Sequence, residues 1–265
     1  MQRPPLDVEQ LRRGIDSPGL SFFSHIDVVE STGSTNADLV ARAGEPDIDR
    51  SVLLSETQVH GRGRHARTWV SPPRAQISMS LLVRLPGIDP ARLGWLPLLT
   101  GVAVVDALRA TAAVDAVLKW PNDVLIDGRK VAGILAEVAA SGAAPAIVIG
   151  VGLNVSLTES ELPVPHATSL TLSGAAVTDR TVLVGSLLTE FARRFTAWRA
   201  ADWATTDLIA AYRDRCATIG ARVRAELPGG QTLTGTATDI DSAGRLLIGD
   251  QAVSAGDVTH LRADS

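Results

Sequence analysis

The spacing of apolar residues predicts a chain of alternating helices and strands. Residues 93–113 are apolar on nearly every face, which predicts a helix buried in a core. The charges of Asp106 and Arg109 argue against a membrane span, and we expect no membrane partner. Residues 77–81 alternate between apolar and polar, as in a half-buried strand. Similar patterns predict helices at 8–15, 36–43, 181–199 and 205–216, and strands at 25–30, 51–56, 117–120, 124–126, 130–138 and 146–151.

The pattern changes near residue 218. Beyond this point, short extended segments are separated by glycine-rich turns, which is typical of a small β-barrel. The predicted strands are 222–226, 233–240, 245–248 and 251–254. We therefore predict two domains, residues 1–217 and residues 218–265.

The composition is that of a globular chain with a substantial core. Its 265 residues are 45% hydrophobic and 20% charged, which excludes a disordered chain. A net charge of −4 argues against broad non-specific nucleic-acid binding. The single cysteine, Cys216, excludes an internal disulfide framework, and the 5 histidines lack the spacing of metal ligands. Because the first 17 residues are polar and do not resemble a signal peptide, we expect a cytoplasmic protein.

Lysine and asparagine are unusually scarce. Among the 25 lysines and arginines only Lys119 and Lys130 are lysines, and the asparagines are Asn36, Asn122 and Asn154. All of them lie in short segments flanked by glycine or turn residues. Because Lys is a compact point charge and Arg a rigid fork, a Lys that persists in an arginine-rich chain indicates a position where Arg will not serve. The alternative is that these residues remain by chance.

Segment 61–69, with the sequence GRGRHARTW, concentrates positive charge in an acidic chain. Its glycines expose backbone N–H groups, and the guanidinium forks of Arg62, Arg64 and Arg67 match carboxylate and phosphate groups. This pattern predicts an anion-binding loop; the alternative is a solvated surface loop. The segment also fits the glycine fingerprint of dinucleotide-binding folds, but the prolines at 72 and 73 exclude the helix that such folds require.

Three further segments carry polar residues next to strands. KWPND at 119–123 joins a strand to a turn, GRKVAG at 128–133 leaves a hairpin, and GVGLN at 150–154 ends a buried strand. Taken one at a time, each has a plain structural explanation. These are a favourable Pro-Asn-Asp turn, an exposed hairpin lysine, and a strand-end turn with a left-handed asparagine. The turn explanation does not account for Lys119.

Taken in order, these segments resemble the biotin protein ligases. The resemblance is carried by STN at 34–36, Gln58, GRGRxxRxW at 61–69, KWPND at 119–123, GRKxAGIL at 128–135 and GxGxN at 150–154. It spans residues 28–155 closely and the remainder loosely. The order and spacing of the segments are specific, although each alone is weak. The chain departs from the family at His65 and Ala66, where Arg and Gly are common.

The resemblance implies an α+β fold, in which a mixed sheet backed by helices, related to the catalytic core of class II synthetases, precedes a small SH3-like barrel. It also implies an ATP-dependent ligase. The carboxylate of biotin would attack the α-phosphate of ATP, with Mg²⁺ accompanying ATP, to give biotinyl-5′-AMP and pyrophosphate. A lysine of the biotin carboxyl carrier domain of a biotin-dependent carboxylase would then take the biotinyl group.

The resemblance further implies roles for single residues. The biotin-binding residues would be Ser34, Thr35, Asn36, Gln58, Arg62, Gly63, Arg64 and Lys130. The ATP-binding residues would be Arg67, Trp69, Lys119, Asn122, Asp123 and Asn154, with Asp123 as the metal ligand. Lys130, Arg64 and Arg67 would be the catalytic cations, and Trp69 would cover the adenine.

Many members of this family carry an N-terminal winged-helix domain that binds DNA. Because the STN motif begins at residue 34, too few residues precede it for such a domain, and we expect no DNA operator. The nearest alternative function is a lipoate ligase or a related acyl transferase. A nucleic-acid-binding module built on the arginine loop is a second alternative, disfavoured by the net negative charge and the lack of interleaved aromatic residues.

Overall fold

The larger of two sheets forms the centre of the protein. A computed structural model describes residues 3–17, 19–70, 72–227, 229–254 and 256–261. The strands are β1 (His25–Val29), β2 (Ser51–Ser55), β3 (Gln76–Arg84), β4 (Ala116–Lys119), β5 (Asp123–Ile126), β6 (Arg129–Ala140) and β7 (Ala146–Asn154). Their order is β1-β2-β3-β7-β6-β5-β4, with β1 and β2 parallel and the other neighbours antiparallel. The predicted mixed sheet is thus confirmed.

In the described residues, five α-helices accompany this sheet: α1 (Val8–Ile15), α2 (Thr35–Ala41), α3 (Trp95–Ala107), α4 (Arg180–Ala200) and α5 (Thr206–Arg213). Helix α3 continues as a wider helical turn over Leu108–Ala112. In the described part of the chain, one helical stretch, Pro90–Ala112, is apolar and long enough to cross a membrane by length and composition alone. Of the 18 most apolar consecutive residues in this stretch, 67% are buried inside the protein. Helix α3 packs against α4. The predicted core helix is therefore confirmed.

Strand β3 differs from its prediction. The alternation over residues 77–81 predicted a half-buried strand, but β3 extends from Gln76 to Arg84 and is buried along nearly its whole length. It lies between β2 and β7, and α2 packs across it. Its polar side chains therefore face the interior of the molecule rather than solvent, and the half-buried interpretation was wrong.

The second sheet contains five antiparallel strands: β8 (Arg222–Glu226), β9 (Thr232–Ile240), β10 (Leu246–Ile248), β11 (Gln251–Val253) and β12 (Asp257–His260). The sequence pattern did not predict β12. Their order, β11-β10-β9-β8-β12, is consistent with an SH3-like barrel and leaves β11 and β12 at the edges. Two indole N–H groups bind the segment between β9 and β10. Trp120, in the turn between β4 and β5, donates to the carbonyl of Gly244 at 3.1 Å, and Trp95, at the start of α3, donates to that of Ser242 at 2.8 Å. This docking places β12 beside the larger sheet.

Candidate active site

A cavity of about 780 Å³ lies between the larger sheet and β12. Its walls come from the start of α2, the loop 61–69, the turn between β4 and β5, the start of β6 and the end of β7. All the residues that the sequence predicted to bind biotin, ATP or a metal line it: Ser34, Thr35, Asn36, Gln58, Arg62, Gly63, Arg64, Arg67, Trp69, Lys119, Asn122, Asp123, Lys130 and Asn154. The structure thus gathers the sequence motifs into one site, while the roles of the individual residues remain predictions.

Thr35 and Gln58 form a polar pocket at one end of the cavity. The backbone N–H of Thr35 donates to Oε1 of Gln58 at 2.9 Å. The hydroxyl oxygen of Thr35 lies 3.1 Å from that same Oε1 and 2.7 Å from Oγ of Ser80. Ser34 is the N-cap of α2, where its Oγ accepts the N–H of Ala37 at 3.4 Å. Because this cap uses only a lone pair of Ser34, its hydroxyl hydrogen can be donated to a ligand.

Asn36 supports this pocket from below. Its Nδ2 donates to Oε2 of Glu137 at 2.7 Å and to the carbonyl of Leu135 at 3.3 Å, while its Oδ1 accepts from Oγ of Ser80 at 2.5 Å. A Cβ added at Gly150 would lie 2.3 Å from Oδ1 of Asn36, so only glycine permits this approach. The polar atoms of Asn36 are therefore already held by protein groups.

Trp69 covers two glycines of the cavity wall. Its Nε1 donates to Oε1 of Gln76 at 2.7 Å. A Cβ at Gly152 would lie 2.4 Å from Cε2 of the indole, and one at Gly133 would lie 3.2 Å from Cζ3. The Nζ atom of Lys130 lies 5.5 Å from the ring centroid, within cation–π range. These contacts hold the indole flat against β6 and β7. They explain why the GRKVAG and GVGLN motifs carry glycine at positions 133 and 152.

Asn154 and His260 add neutral polar groups to the cavity wall. Nδ2 of Asn154 donates to the carbonyl of Thr168 at 2.9 Å, which leaves its side-chain oxygen as an acceptor. Nε2 of His260 lies 2.9 Å from Oγ1 of Thr218. Burial lowers the pKa of His260, and the charge of Lys119 lowers it further. Both effects favour the neutral imidazole.

Cationic groups line the middle of the cavity. Nζ of Lys130 lies 2.5 Å from Oδ1 of Asp123. One guanidinium nitrogen of Arg64 donates to Oδ1 of Asn122 at 3.1 Å. Burial lowers the pKa of Arg64, although the charges of Asp257 and Asp123 oppose this effect. An arginine remains protonated under these conditions, so the half-buried Arg64 presents a poorly solvated positive charge to a ligand.

The loop 61–69 folds back on itself as a narrow hairpin. The N–H of Gly63 donates to the carbonyl of Arg67 at 2.7 Å, and the N–H of Trp69 donates to that of Gly61 at 2.8 Å. A Cβ at Gly61 would lie 2.2 Å from the carbonyl oxygen of Trp69, so the close pairing requires glycine there. His65 has a φ of +54°, in the left-handed region that favours glycine.

The C-terminal sheet contributes a carboxylate to this loop. Asp257 forms an ion pair with Arg67, and its Oδ1 lies 3.7 Å from Nε2 of His65. Arg64 also donates to the carbonyl of Gly256 at 3.4 Å. Sequence reasoning missed Asp257 as a site residue, because the pattern did not predict β12. It also missed other residues in or beneath the cavity: Gln76, Ser80, Glu137, His166, Glu226, Thr259 and His260.

The predicted metal ligand Asp123 contacts a lysine. Within the residues that the structure describes, no group of three or more His, Cys, Asp or Glu side chains could hold a metal ion. Asp123 is instead paired with Lys130. Mg²⁺ retains several waters and commonly needs only one or two carboxylates when it is bound to phosphates. These residues therefore fit a cation that arrives with a nucleotide better than a resident metal.

The chain matches family descriptions in two parts. Residues 29–154 match the Biotin/lipoate A/B protein ligase family. Residues 218–261 match the Biotin protein ligase C terminal domain. The first match contains the cavity motifs from STN to GVGLN, and the second contains the five-stranded sheet.

Two solved structures have a similar fold. The biotin protein ligase from Aquifex aeolicus in complex with biotin and ATP has a TM-score of 0.74 and 24% sequence identity, over 91% of this chain and 100% of that one. The biotin protein ligase from Leishmania major in complex with biotinyl-5-AMP has a TM-score of 0.64 and 21% identity, over 91% of this chain and 99% of that one. At these identities the likeness establishes the fold.

Two relatives are more similar in sequence. A biotin–[acetyl-CoA-carboxylase] ligase from Mycobacterium tuberculosis is 49% identical over an alignment that covers 98% of this chain and 97% of the relative. The bifunctional ligase/repressor BirA of Bacillus spizizenii is 33% identical over 85% of this chain and 68% of the relative. The chain therefore belongs to the biotin protein ligases of the biotin/lipoate A/B protein ligase family.

Proposed function

We propose that this protein activates biotin with ATP as biotinyl-5′-AMP and transfers the biotinyl group to a lysine of a biotin carboxyl carrier domain. The observation that carries this proposal is that one cavity is lined both by the polar pocket at Thr35 and Gln58 and by the cations Arg64 and Lys130. A ligand with a polar head and a carboxylate tail suits such a site. The family membership supports the same activity.

In the first step, a carboxylate oxygen of biotin attacks the α-phosphorus of ATP, and the bond to the leaving pyrophosphate breaks. Two anions must approach each other, so positive charge has to offset their repulsion. We assign this role to Arg62, Arg64 and Lys130. Lys130 supports this proposal because it lines the same cavity, where its ammonium group lies 2.5 Å from Oδ1 of Asp123.

We assign the nucleotide to the other end of the cavity. Trp69 offers an indole face for the adenine, and the free side-chain oxygen of Asn154 can accept from the adenine amino group. Arg67 and Lys119 would meet the phosphates. Mg²⁺ would enter with ATP, and Asp123 is the carboxylate that we propose beside it; the cation would offset charge on the phosphate oxygens.

In the second step, the ε-amine of the acceptor lysine attacks the carbonyl carbon of the mixed anhydride, and AMP leaves. The anhydride is easily hydrolysed, so the site has to exclude water until the acceptor arrives. The loop 61–69 and β12 already meet over the cavity through Arg67 and Asp257. We propose that these two elements form the cover.

A lipoate ligase is the competing function within the same family. The pocket at Thr35 and Gln58 has hydrogen-bond donors and acceptors, which match the ureido ring of biotin. The dithiolane ring of lipoate offers no such partners, so it would forgo the hydrogen bonds that the ureido ring can make to Thr35 and Gln58, each worth about 0.5–1.5 kcal/mol. Biotin is therefore the favoured substrate.

The direct test is to incubate the purified full chain with Mg²⁺, α-labelled ATP and a biotin carboxyl carrier domain. With biotin present, we expect labelled AMP to accumulate and the carrier to gain one biotinyl group. Lipoate in place of biotin is the control, and replacing the acceptor lysine of the carrier by Arg should stop transfer while leaving adenylate formation intact. Labelling that does not depend on biotin, or that lipoate supports equally well, would contradict the proposal.

A further inference from the structure

We infer that Glu137 is a positioning residue, which sets the direction of the hydrogen bonds in the pocket at Thr35 and Gln58 so that this pocket reads a cyclic urea. The inference rests on the proposed function and specifies which group of the substrate is recognised. Glu137 lies on β6, outside the lining of the cavity, and acts through Asn36 and Ser80.

The first step is the orientation of the Asn36 amide. Its nitrogen lies 2.7 Å from Oε2 of Glu137 and 3.3 Å from the carbonyl oxygen of Leu135. A carbonyl oxygen accepts only, and an ionised carboxylate does too, so this end of the amide has to be the NH₂ donor. Its carbonyl end then points to Ser80. Asn36 is 5% exposed, so water does not readily replace these partners.

The second step is the direction of the hydrogen bond between Ser80 and Asn36. Oδ1 of Asn36 cannot donate, so the 2.5 Å contact with Oγ of Ser80 requires Ser80 to be the donor. A serine hydroxyl has one hydrogen. The 2.7 Å contact between Ser80 and Oγ1 of Thr35 therefore runs the other way, with Thr35 as the donor.

The third step is the state of Thr35. Its Oγ1 also lies 3.1 Å from Oε1 of Gln58 and could donate there instead. We expect the Thr35 hydrogen to point to Ser80, the nearer of the two oxygens, because lone pairs that face each other at 2.7 Å repel more than at 3.1 Å. With its hydrogen directed at Ser80, the Thr35 hydroxyl offers lone pairs to the cavity. It therefore acts as an acceptor for a ligand N–H.

Gln58 supplies the complementary donor. Its Oε1 accepts the backbone N–H of Thr35 at 2.9 Å, which leaves the Nε2 hydrogens available. An acceptor and a donor thus lie side by side in the pocket. A cyclic urea presents an N–H beside a C=O, so it fits this order. A ligand with an alkylated nitrogen has no hydrogen to donate and would place its alkyl group against the oxygen of Thr35.

The test uses isothermal titration of the full chain with biotin and with a biotin methylated on a ureido nitrogen. In Glu137→Leu the Asn36 amide loses its 2.7 Å partner and keeps only the 3.3 Å contact with the carbonyl of Leu135. Its orientation is then held less firmly, and we expect biotin affinity to fall by about tenfold. The preference for biotin over the methylated analogue should shrink as well. The KM for ATP, measured as biotin-dependent release of pyrophosphate, should stay unchanged. Glu137→Gln should retain most of the affinity, because its side-chain oxygen can still accept from Asn36.

Two further variants separate positioning from folding. Glu45→Leu removes an exposed carboxylate paired with Arg42 at 3.2 Å, and it should bind both ligands as the wild type does. Ser80→Ala breaks the same chain of hydrogen bonds at its next member. The double variant Glu137→Leu/Ser80→Ala should therefore lose less than the product of the two single effects.

The outcomes distinguish this inference from the proposed function. Failure of the wild type to bind biotin would overturn both. Normal wild-type binding with Glu137→Leu unchanged would overturn the inference alone. Equal losses in Glu137→Leu and Glu137→Gln, or a matching loss of ATP affinity, would also overturn it, since a general disturbance of the fold would then account for the effect.

Discussion

Nζ of Lys130 lies 2.5 Å from Oδ1 of Asp123 and 5.5 Å from the centroid of the Trp69 ring. One ammonium group therefore adjoins the carboxylate, the aromatic face and the cavity at once. A compact charge fits between these neighbours, whereas the planar fork of an arginine is broader. The persistence of lysine at this position in an arginine-rich chain has a structural reason here.

The first prediction concerns Lys130. We expect Lys130→Ala to reduce adenylate formation by about 10²–10³-fold, because it removes a half-buried positive charge from the reacting phosphate and leaves Asp123 without its lysine partner. Lys130→Arg should remain below half of the wild-type rate. Biotin-dependent release of pyrophosphate measures both. The control is Arg129→Ala, since Arg129 adjoins Lys130 but pairs with Glu159 outside the cavity. A rate above half for Lys130→Arg would refute the role.

Much of this site could be predicted from the motifs, because the glycines, lysines and asparagines in them occupy positions that other residue types do not fit. Gly150 and Gly152 admit Asn36 and Trp69 at distances that no Cβ allows. The residues that support the motif residues from below were harder to predict from the sequence. The alternation on β3 indicated a solvent-facing side, yet Ser80 on that side lies under α2 and takes part in the pocket.

The contribution of β12 could not be predicted either. A strand of four residues, Asp257–His260, is too short to show a clear alternation. Its place at the site depends on how the second sheet packs against the rest of the protein, through contacts such as that of Trp120 with Gly244. Such contacts join positions more than a hundred residues apart, and no local pattern encodes them.

The second prediction concerns Gly152. In Gly152→Ala the new Cβ would lie 2.4 Å from the Trp69 indole, so the ring has to move and its bond to Gln76 has to break. We expect the KM for ATP to rise about tenfold, with a much smaller change in biotin affinity. Gly185→Ala is the matched control, because nothing lies within 4 Å of its Cβ in α4. Equal KM values for ATP in both variants would show that Trp69 does not bind the nucleotide.

The third prediction concerns the loop 61–69. The ion pair of Arg67 with Asp257 holds this loop against β12, and the arginines otherwise repel one another. In Asp257→Asn we expect faster amide hydrogen exchange over 61–69 without ligands. Biotin and ATP should restore protection, because the adenylate supplies an anion in place of Asp257. The control is Asp250→Asn, which changes an exposed carboxylate in the turn between β10 and β11. Unchanged exchange in Asp257→Asn would contradict this role of the ion pair.

The fourth prediction concerns pH and the N-terminal segment. The hydrogen bond from Arg3 lowers the pKa of Glu161 to about 2, with help from Thr158. Since the folded pKa is depressed, the stabilisation is complete above the ordinary value of 4.5 and is lost as the pH falls towards 2. Solvent screening limits it to about 1 kcal/mol. Urea unfolding should therefore show Arg3→Ala to be less stable than the wild type at pH 7, with a difference that shrinks as the pH falls towards 2. The hydrogen bonds from Arg3 to the hydroxyl and carbonyl of Ser156 account for the part that remains. A constant difference across this range would show that Glu161 is not responsible.

The fifth prediction concerns the buried pair of Arg180 and Glu56, whose charged atoms lie 2.7 Å apart with side chains only 5% and 3% exposed. Arg180 also donates to the carbonyl of Gln76, the residue that holds Trp69. Removing one partner strands the other charge in the interior, so Arg180→Met should lower the free energy of unfolding by about 3–5 kcal/mol. The matched control is Arg193→Met on the same helix, whose side chain is 57% exposed and which should cost less than about 1 kcal/mol. Because the damage reaches Gln76, ATP affinity in Arg180→Met should fall under conditions where the protein remains folded. Equal unfolding free energies for the two variants would show that this pair does not anchor the site.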